Sequence, residues 1–200
     1  MSKSNNHYVL FIPGLSDRVR NIEFVTRFWK AKGLIPYMFP VGWKNQSQNI
    51  ASILSNIIET AELLAKENTV SIVGTSAGGS VAFNALIERP DIIHKAVNVC
   101  GRLRSGNHSW RSLERMSKSS PAFKESVLKF ERIEPYISND FLSRMITVSA
   151  RFGDELVPLD TSQVEGSTNI TIPTIEHVAS IGMALTVFSK PIIEFLRENS

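Results

Sequence analysis

Cysteine is almost missing from this chain: Cys100 is the only one in 200 residues, which excludes an intramolecular disulfide and any cysteine-rich metal site. Also missing is an uninterrupted apolar run approaching the roughly 18 residues that a membrane-spanning helix requires. The amino-terminal stretch, MSKSNNHYVLFIPGL, holds one lysine and a short apolar run broken by Pro13, with no small-residue cleavage site behind it. It reads as a first strand rather than a signal peptide, so a cytoplasmic protein with no transmembrane segment is expected. Charge of one sign is not in excess either. The 22 Lys and Arg against 19 Asp and Glu leave +3, too little for a nucleic-acid partner to be expected. The charge is unevenly spread, however: residues 101–119 carry Arg102, Arg104, Arg111, Arg115 and Lys118 against Glu114 alone, a net +4, while the rest of the chain sums to −1. Such a stretch is either a solvated basic loop or an anion-attracting rim around a cleft.

What is present fits one globular domain over residues 1–200. With 42% hydrophobic and 20% charged residues, the chain is long enough to bury a core without covalent staples. Short apolar runs bounded by turn residues recur at Tyr8 to Ile12, Leu34 to Phe39, Val70 to Gly74, Lys95 to Cys100, Met145 to Ala150 and Asn169 to Ile172. They are nearly continuous in Val, Ile and Leu rather than alternating, as in strands buried on both faces of a parallel sheet. Helical periodicity lies between them. Ile50, Ile53, Leu54, Ile57, Ile58, Ala61, Leu64 and Ala65 form the clearest stripe, with a second at Ile22, Val25, Phe28 and Trp29, stopped by Gly33, and a third at Val81, Ala82, Ala85 and Leu86, stopped by Pro90. The alternation predicts an α/β three-layer sandwich around a mostly parallel sheet of about six strands with right-handed crossovers. Residues 101–143 interrupt it. This long insertion is expected to form a helical cap over the strand ends, with a helix starting at Ser120-Pro121 and burying Phe123, Val127 and Phe130. No repeat, linker or low-complexity tract is visible.

The most specific local signal is Gly74-Thr75-Ser76-Ala77-Gly78-Gly79, set directly between a strand and a helix. A serine in so sharp a strand-to-helix turn is held exposed above the sheet, and glycines two positions to either side let the chain pass close by. A phosphate-binding loop has similar glycine spacing, but Ser80 stands where its lysine should be. A serine hydroxyl is a weak nucleophile and needs a base, usually a histidine held by a carboxylate. Of four histidines, His7 precedes the first strand, His94 lies at the wrong end of the sheet and His108 is in the insertion. His177 follows the last strand at its carboxyl end. Asp154 follows the fifth strand at that same edge, with Glu155 and Asp160 as neighbouring rivals. Ser76, Asp154 and His177 thus each stand just after a predicted parallel strand.

With these residues the chain resembles a small, esterase- or lipase-like member of the α/β-hydrolase superfamily. The likeness spans nearly the whole chain: the elbow at Ser76, Gly153-Asp154-Glu155-Leu156-Val157-Pro158 as an acid-bearing turn, and His177 on the last loop. Ile12-Pro13-Gly14-Leu15-Ser16-Asp17 matches the family's oxyanion loop, although Pro13 replaces the histidine often found there. The chain begins at the strand that comes third in the full fold, so the antiparallel edge hairpin is expected to be missing. The resemblance implies an oxyanion hole from the backbone N–H groups of Leu15 and Ala77, with Ser16 as another donor. It also implies acyl transfer through Ser76, His177 and Asp154, a small-molecule ester or thioester as substrate, and neither cofactor nor metal. The cap residues Phe123, Val127 and Phe130 are expected to line an acyl pocket. The competing expectation is a non-catalytic ligand-binding or scaffold protein on the same fold.

Overall fold

The computed structural model describes residues 6–108 and 112–198. The elements run β1 (His7–Ile12), α1 (Val19–Thr26), β2 (Leu34–Met38), α2 (Ile50–Ala65), β3 (Thr69–Thr75), α3 (Gly78–Glu88), β4 (Ile93–Val99), α4 (Leu113–Met116), α5 (Pro121–Ile133), α6 (Asn139–Ser143), β5 (Met145–Ala150), β6 (Thr168–Ile172), α7 (His177–Leu185) and α8 (Lys190–Arg197). Local chemistry sets several of the boundaries. Asn49 caps α2 by accepting from the Ser52 N–H, and Ser120 caps α5 ahead of Pro121, where proline's missing N–H costs nothing. Gly33 ends the 3₁₀ turn that follows α1 with its own N–H on the carbonyls of Lys30 and Trp29.

All six strands pair in parallel, in the order β2-β1-β3-β4-β5-β6. Successive side chains of a strand point to opposite faces, and β1 is apolar on both. Leu10 and Ile12 join the cluster formed with α2, α3 and α5, whereas Val9 and Phe11 join the one formed with α1, α7 and α8. The chain leaves β1 toward one edge, to β2, and returns to β3 on the other side. Ligand crevices in open parallel sheets form outside the carboxyl ends at such a reversal. The loops after β1 and β3 flank it.

The helix expected to cap the strand ends is instead the crossover between β4 and β5. Its partners are α2 and α3: Ser126 Oγ lies 2.7 Å from Ser80 Oγ, the Asn84 amide donates to the Ser126 carbonyl at 2.9 Å, and the rings of Phe130 and Phe83 are 5.4 Å apart. Val127 and Phe130 are fully buried there. The physical reason is that a β-crossover-β unit needs a helix to cover the sheet. Between β4 and β5 only α5 is long enough, at 13 residues, since α4 has 4 and α6 has 5. Truncating Phe130 to alanine in this setting costs about 3–5 kcal/mol. Only the leading part of the insertion approaches the strand ends. Arg111, one of the basic residues of the insertion, lies outside the described residues. Among the described residues no single helix is long and apolar enough to cross a membrane.

Candidate active site

Ser76 occupies the two-residue turn between β3 and α3 with φ 53°, a left-handed conformation that a residue bearing a Cβ rarely adopts. The chain must pass close to itself to make that turn. A Cβ on Gly74 would lie 2.1 Å from the Gly78 carbonyl oxygen, and one on Gly78 would lie 2.3 Å from that of Ile12. Glycine is therefore required at both positions. The Ser76 N–H donates to the Val99 carbonyl at 2.9 Å, and its carbonyl accepts from Gly79 N–H at 3.0 Å. These bonds hold the turn while the side chain stays partly open to the crevice.

His177 is the first residue of α7. Glu176 precedes it at φ 79° and caps the helix, its carboxylate accepting from the N–H groups of Val178 and Ala179. The imidazole is buried, with Nδ1 2.7 Å from Asp154 Oδ2 and Nε2 2.8 Å from Ser76 Oγ. An ionised carboxylate only accepts, so Nδ1 carries the proton in the neutral ring and Nε2 faces the serine as an acceptor. Asp154 is fixed by the N–H groups of Leu156 and Val157, each 2.8 Å from Oδ1. Burial alone would raise the Asp154 carboxyl; the hydrogen bond and charge of His177, with those two N–H groups, outweigh it and bring it below the ordinary aspartate value.

The neighbouring acids are engaged elsewhere. Glu155 Oε2 accepts the backbone N–H of His177 at 3.0 Å, so it holds the main chain of the loop rather than the ring. Asp160 is exposed and lies 3.0 Å from His108 Nε2. His7 and His94 sit at the amino ends of β1 and β4, on the far side of the sheet.

Leu15 and Ala77 both line the crevice, and among the described residues neither backbone N–H has an acceptor. Ser16 shares that wall. Two contacts that the sequence did not announce hold the loop: the Trp43 indole N–H donates to the Pro13 carbonyl at 3.0 Å, and the Asp17 carboxylate accepts from the N–H groups of Val41 and Gly42 at 2.9 and 2.8 Å. Asp17 itself stands at φ 54°. Aspartate in a left-handed turn is the sole sequence trace of this anchor.

The cavity over Ser76 has a volume of about 380 Å³ and is walled by Leu15, Ala77, Arg102, Met116, Phe123 and His177, among others. Phe123 reaches it; Val127 and Phe130, turned into the core, do not. Two residues of the basic stretch, Arg102 and Arg104, are held by internal contacts. Arg102 is fully buried and donates to the carbonyls of Arg104 and Ser105, while Arg104 pairs with Glu134. Among the described residues no group of three or more His, Cys, Asp or Glu side chains could hold a metal ion.

No family model matches the chain, and no curated protein matches it by sequence. Solved structures do match. One of two metagenome-derived lipolytic enzymes, LipS and LipT, aligns with 98% of this chain over 95% of its own, at TM-score 0.67 and 12% identity. A monoacylglycerol lipase of Paleococcus ferrophilus aligns with 94% over 93% of its own chain, at TM-score 0.68 and 15% identity. The enol-lactonase of Burkholderia xenovorans LB400 aligns with 99% over 94%, at TM-score 0.67 and 12% identity. The fold is that of the α/β-hydrolases.

Proposed function

We propose that the chain is a serine hydrolase that cleaves carboxylic esters or thioesters through an acyl-enzyme formed on Ser76. The observation that carries this reading is the unbroken Ser76, His177, Asp154 chain at 2.8 and 2.7 Å, ending on a serine held in a left-handed turn above a helix N-terminus. Ser76 Oγ attacks the carbonyl carbon as His177 Nε2 takes its proton. The developing oxyanion meets the N–H groups of Leu15 and Ala77, preorganised by the Trp43 and Asp17 anchors. His177 then returns the proton to the leaving oxygen or sulfur, and Asp154 stabilises the imidazolium formed in between. Water repeats the route and frees the acid. No step calls for a metal or cofactor. Phe123 is the apolar wall against which the substrate rests. The names of the structural neighbours, lipolytic enzyme, monoacylglycerol lipase and enol-lactonase, favour an ester over other acyl substrates.

Hydrolysis of 4-nitrophenyl butanoate tests the reading. The wild type releases nitrophenol in a burst followed by steady turnover, and Ser76→Ala shows no burst and loses nearly all of the turnover. A folded wild type with no turnover across simple esters and thioesters would favour the ligand-binding alternative.

A further inference from the structure

The cavity over Ser76 does not close on itself. On the side of α5 it is stopped by Phe123 and Arg102, both buried. On the opposite side Asn21, Ile22, Val178 and Ile181 wall both this cavity and a second, open trough of about 350 Å³ between α1 and α7. These two helices lie side by side on one face of the sheet, and the 3₁₀ turn that follows α1 is tied to α7 by the Trp29 indole donating to the Leu185 carbonyl at 3.0 Å.

Two features of the trough are unusual for neighbouring helices of a packed layer. Its rim keeps large apolar side chains in solvent, with Phe24 63% and Val178 69% exposed, although exposed apolar surface contiguous with a cleft is a mark of ligand sites. Its wall includes Gly182, inside α7, where a Cβ would meet nothing within 4 Å. Glycine is an unfavourable choice within a helix, and here no close approach of another chain segment requires it. What its lack of a side chain leaves is open volume in line with the nucleophile.

We propose that the trough between α1 and α7 holds a linear hydrocarbon chain of the ester cleaved at Ser76, which makes the substrate a medium- to long-chain aliphatic ester. The inference rests on the hydrolase reading above. An aliphatic chain whose ester carbonyl sits at Ser76 passes from cavity to trough along Ile22, Val178 and Ile181, with Asn21 the only polar side chain of the shared wall. The route away from α1 and α7 is blocked by Phe123.

The test compares 4-nitrophenyl butanoate, octanoate and dodecanoate, and separately butyl, octyl and dodecyl acetate, so that a chain on the acyl side is told from one on the alcohol side. In one of the two series kcat/KM rises by up to about fourfold per added methylene until the trough is filled. Gly182→Leu fills the trough. In the series that shows the rise it lowers the ratio of the twelve-carbon to the four-carbon substrate at least about tenfold, and it raises the melting temperature, because leucine is the better helix former. Chain-length profiles that are flat in both series, or a preference that Gly182→Leu leaves intact in a folded protein, overturn the proposal. So does concentration-dependent dimerisation abolished by Phe24→Asp with flat profiles, which makes the trough an interface between copies. Calorimetric binding of dodecanoate against butanoate to Ser76→Ala separates the two claims. Dodecanoate binding that Gly182→Leu removes, in a protein whose wild type turns over no ester, upholds the trough and discards the hydrolase.

Discussion

Ser71 and Ser76 each lie within hydrogen-bonding distance of a histidine, at opposite ends of the sheet. Ser76 Oγ is 2.8 Å from His177 Nε2, and Ser71 Oγ is 2.9 Å from His7 Nε2. By that measure the two pairs are alike, and everything around them differs. His177 is backed by the Asp154 carboxylate. His7 faces His94, ring centroids 5.9 Å apart, and Lys95, and burial together with these two neighbours pushes its pKa down to about 4. Ser71 lies inside β3, fully buried, where the pairing with β4 shifts register between Val70 and Ile72, while Ser76 is strained at the mouth of a cavity. A base that must hold a proton during the reaction needs a stabilised cation. The far pair instead has the Lys95 ammonium and a second imidazole beside it, which disfavour a proton on His7, so Ser71 and His7 make a structural bond. The serine–histidine contact does not set the two pairs apart; the third group and the backbone of the serine do, and on them rests the proposal that Ser76 is the nucleophile.

The residues around the two pairs give ways to break this contrast. The largest effect belongs to the serines: Ser76→Ala lowers kcat on a nitrophenyl ester by about 10⁶ if the three residues act as a unit, whereas Ser71→Ala leaves kcat unchanged. Next is the acid. Asp154→Asn leaves the imidazole in the wrong tautomer and lowers kcat by about 10⁴, while Asp160→Asn, on the exposed His108 pair, has no effect on rate. Third is the support under the base: Glu155→Ala frees the main chain of His177, and a misplacement of about 1 Å is worth up to about 10² in kcat. Glu155→Gln restores most of it, since the amide oxygen still accepts that N–H.

The smallest effect is on stability, at the other end of the sheet. The folded pKa of His7, about 4, lies below an unfolded value of about 6.5. Between these values the unfolded chain binds more protons, so the fold gains stability as pH rises through that window and loses it as pH falls. The full shift corresponds to about 3 kcal/mol, on the order of 1–2 kcal/mol once screening of a partly exposed ring is allowed for. His94 is lowered too, chiefly by burial, and acts in the same sense. Urea midpoints at pH 7 and pH 4.5 measure the slope, and His7→Gln flattens most of it. A slope unchanged by that substitution would leave His7 out of the account.

The sheet was legible because its inner strands are apolar on both faces, a pattern that survives without any knowledge of partners. Boundaries slipped where a polar residue interrupts the run, as at His94, which lies within β4 although the apolar run begins only at Lys95. The elbow was legible because its glycines answer a purely local demand. Phe130 shows what periodicity cannot tell: a helical stripe announces that one face is buried, not against what, and α5 turned to α2 and α3 rather than to the strand ends. Trp43 and Asp17 were illegible for a related reason. Each anchors the loop after β1 through a contact between residues far apart in sequence, and neither leaves a periodic trace. Glu155 stood in view as a rival to Asp154, yet which of two adjacent carboxylates meets the ring and which the backbone depends on side-chain directions set by the turn.

The central claim, that the surroundings of Ser76 rather than a serine–histidine bond make a nucleophile, is tested most directly by labelling the folded wild type with a fluorophosphonate and mapping the modified peptide. The account predicts phosphonylation at Ser76 alone, lost in Ser76→Ala and strongly slowed in Asp154→Asn, with Ser71 unmodified. A label on Ser71 or on any other serine, or none at all on folded protein, would contradict it.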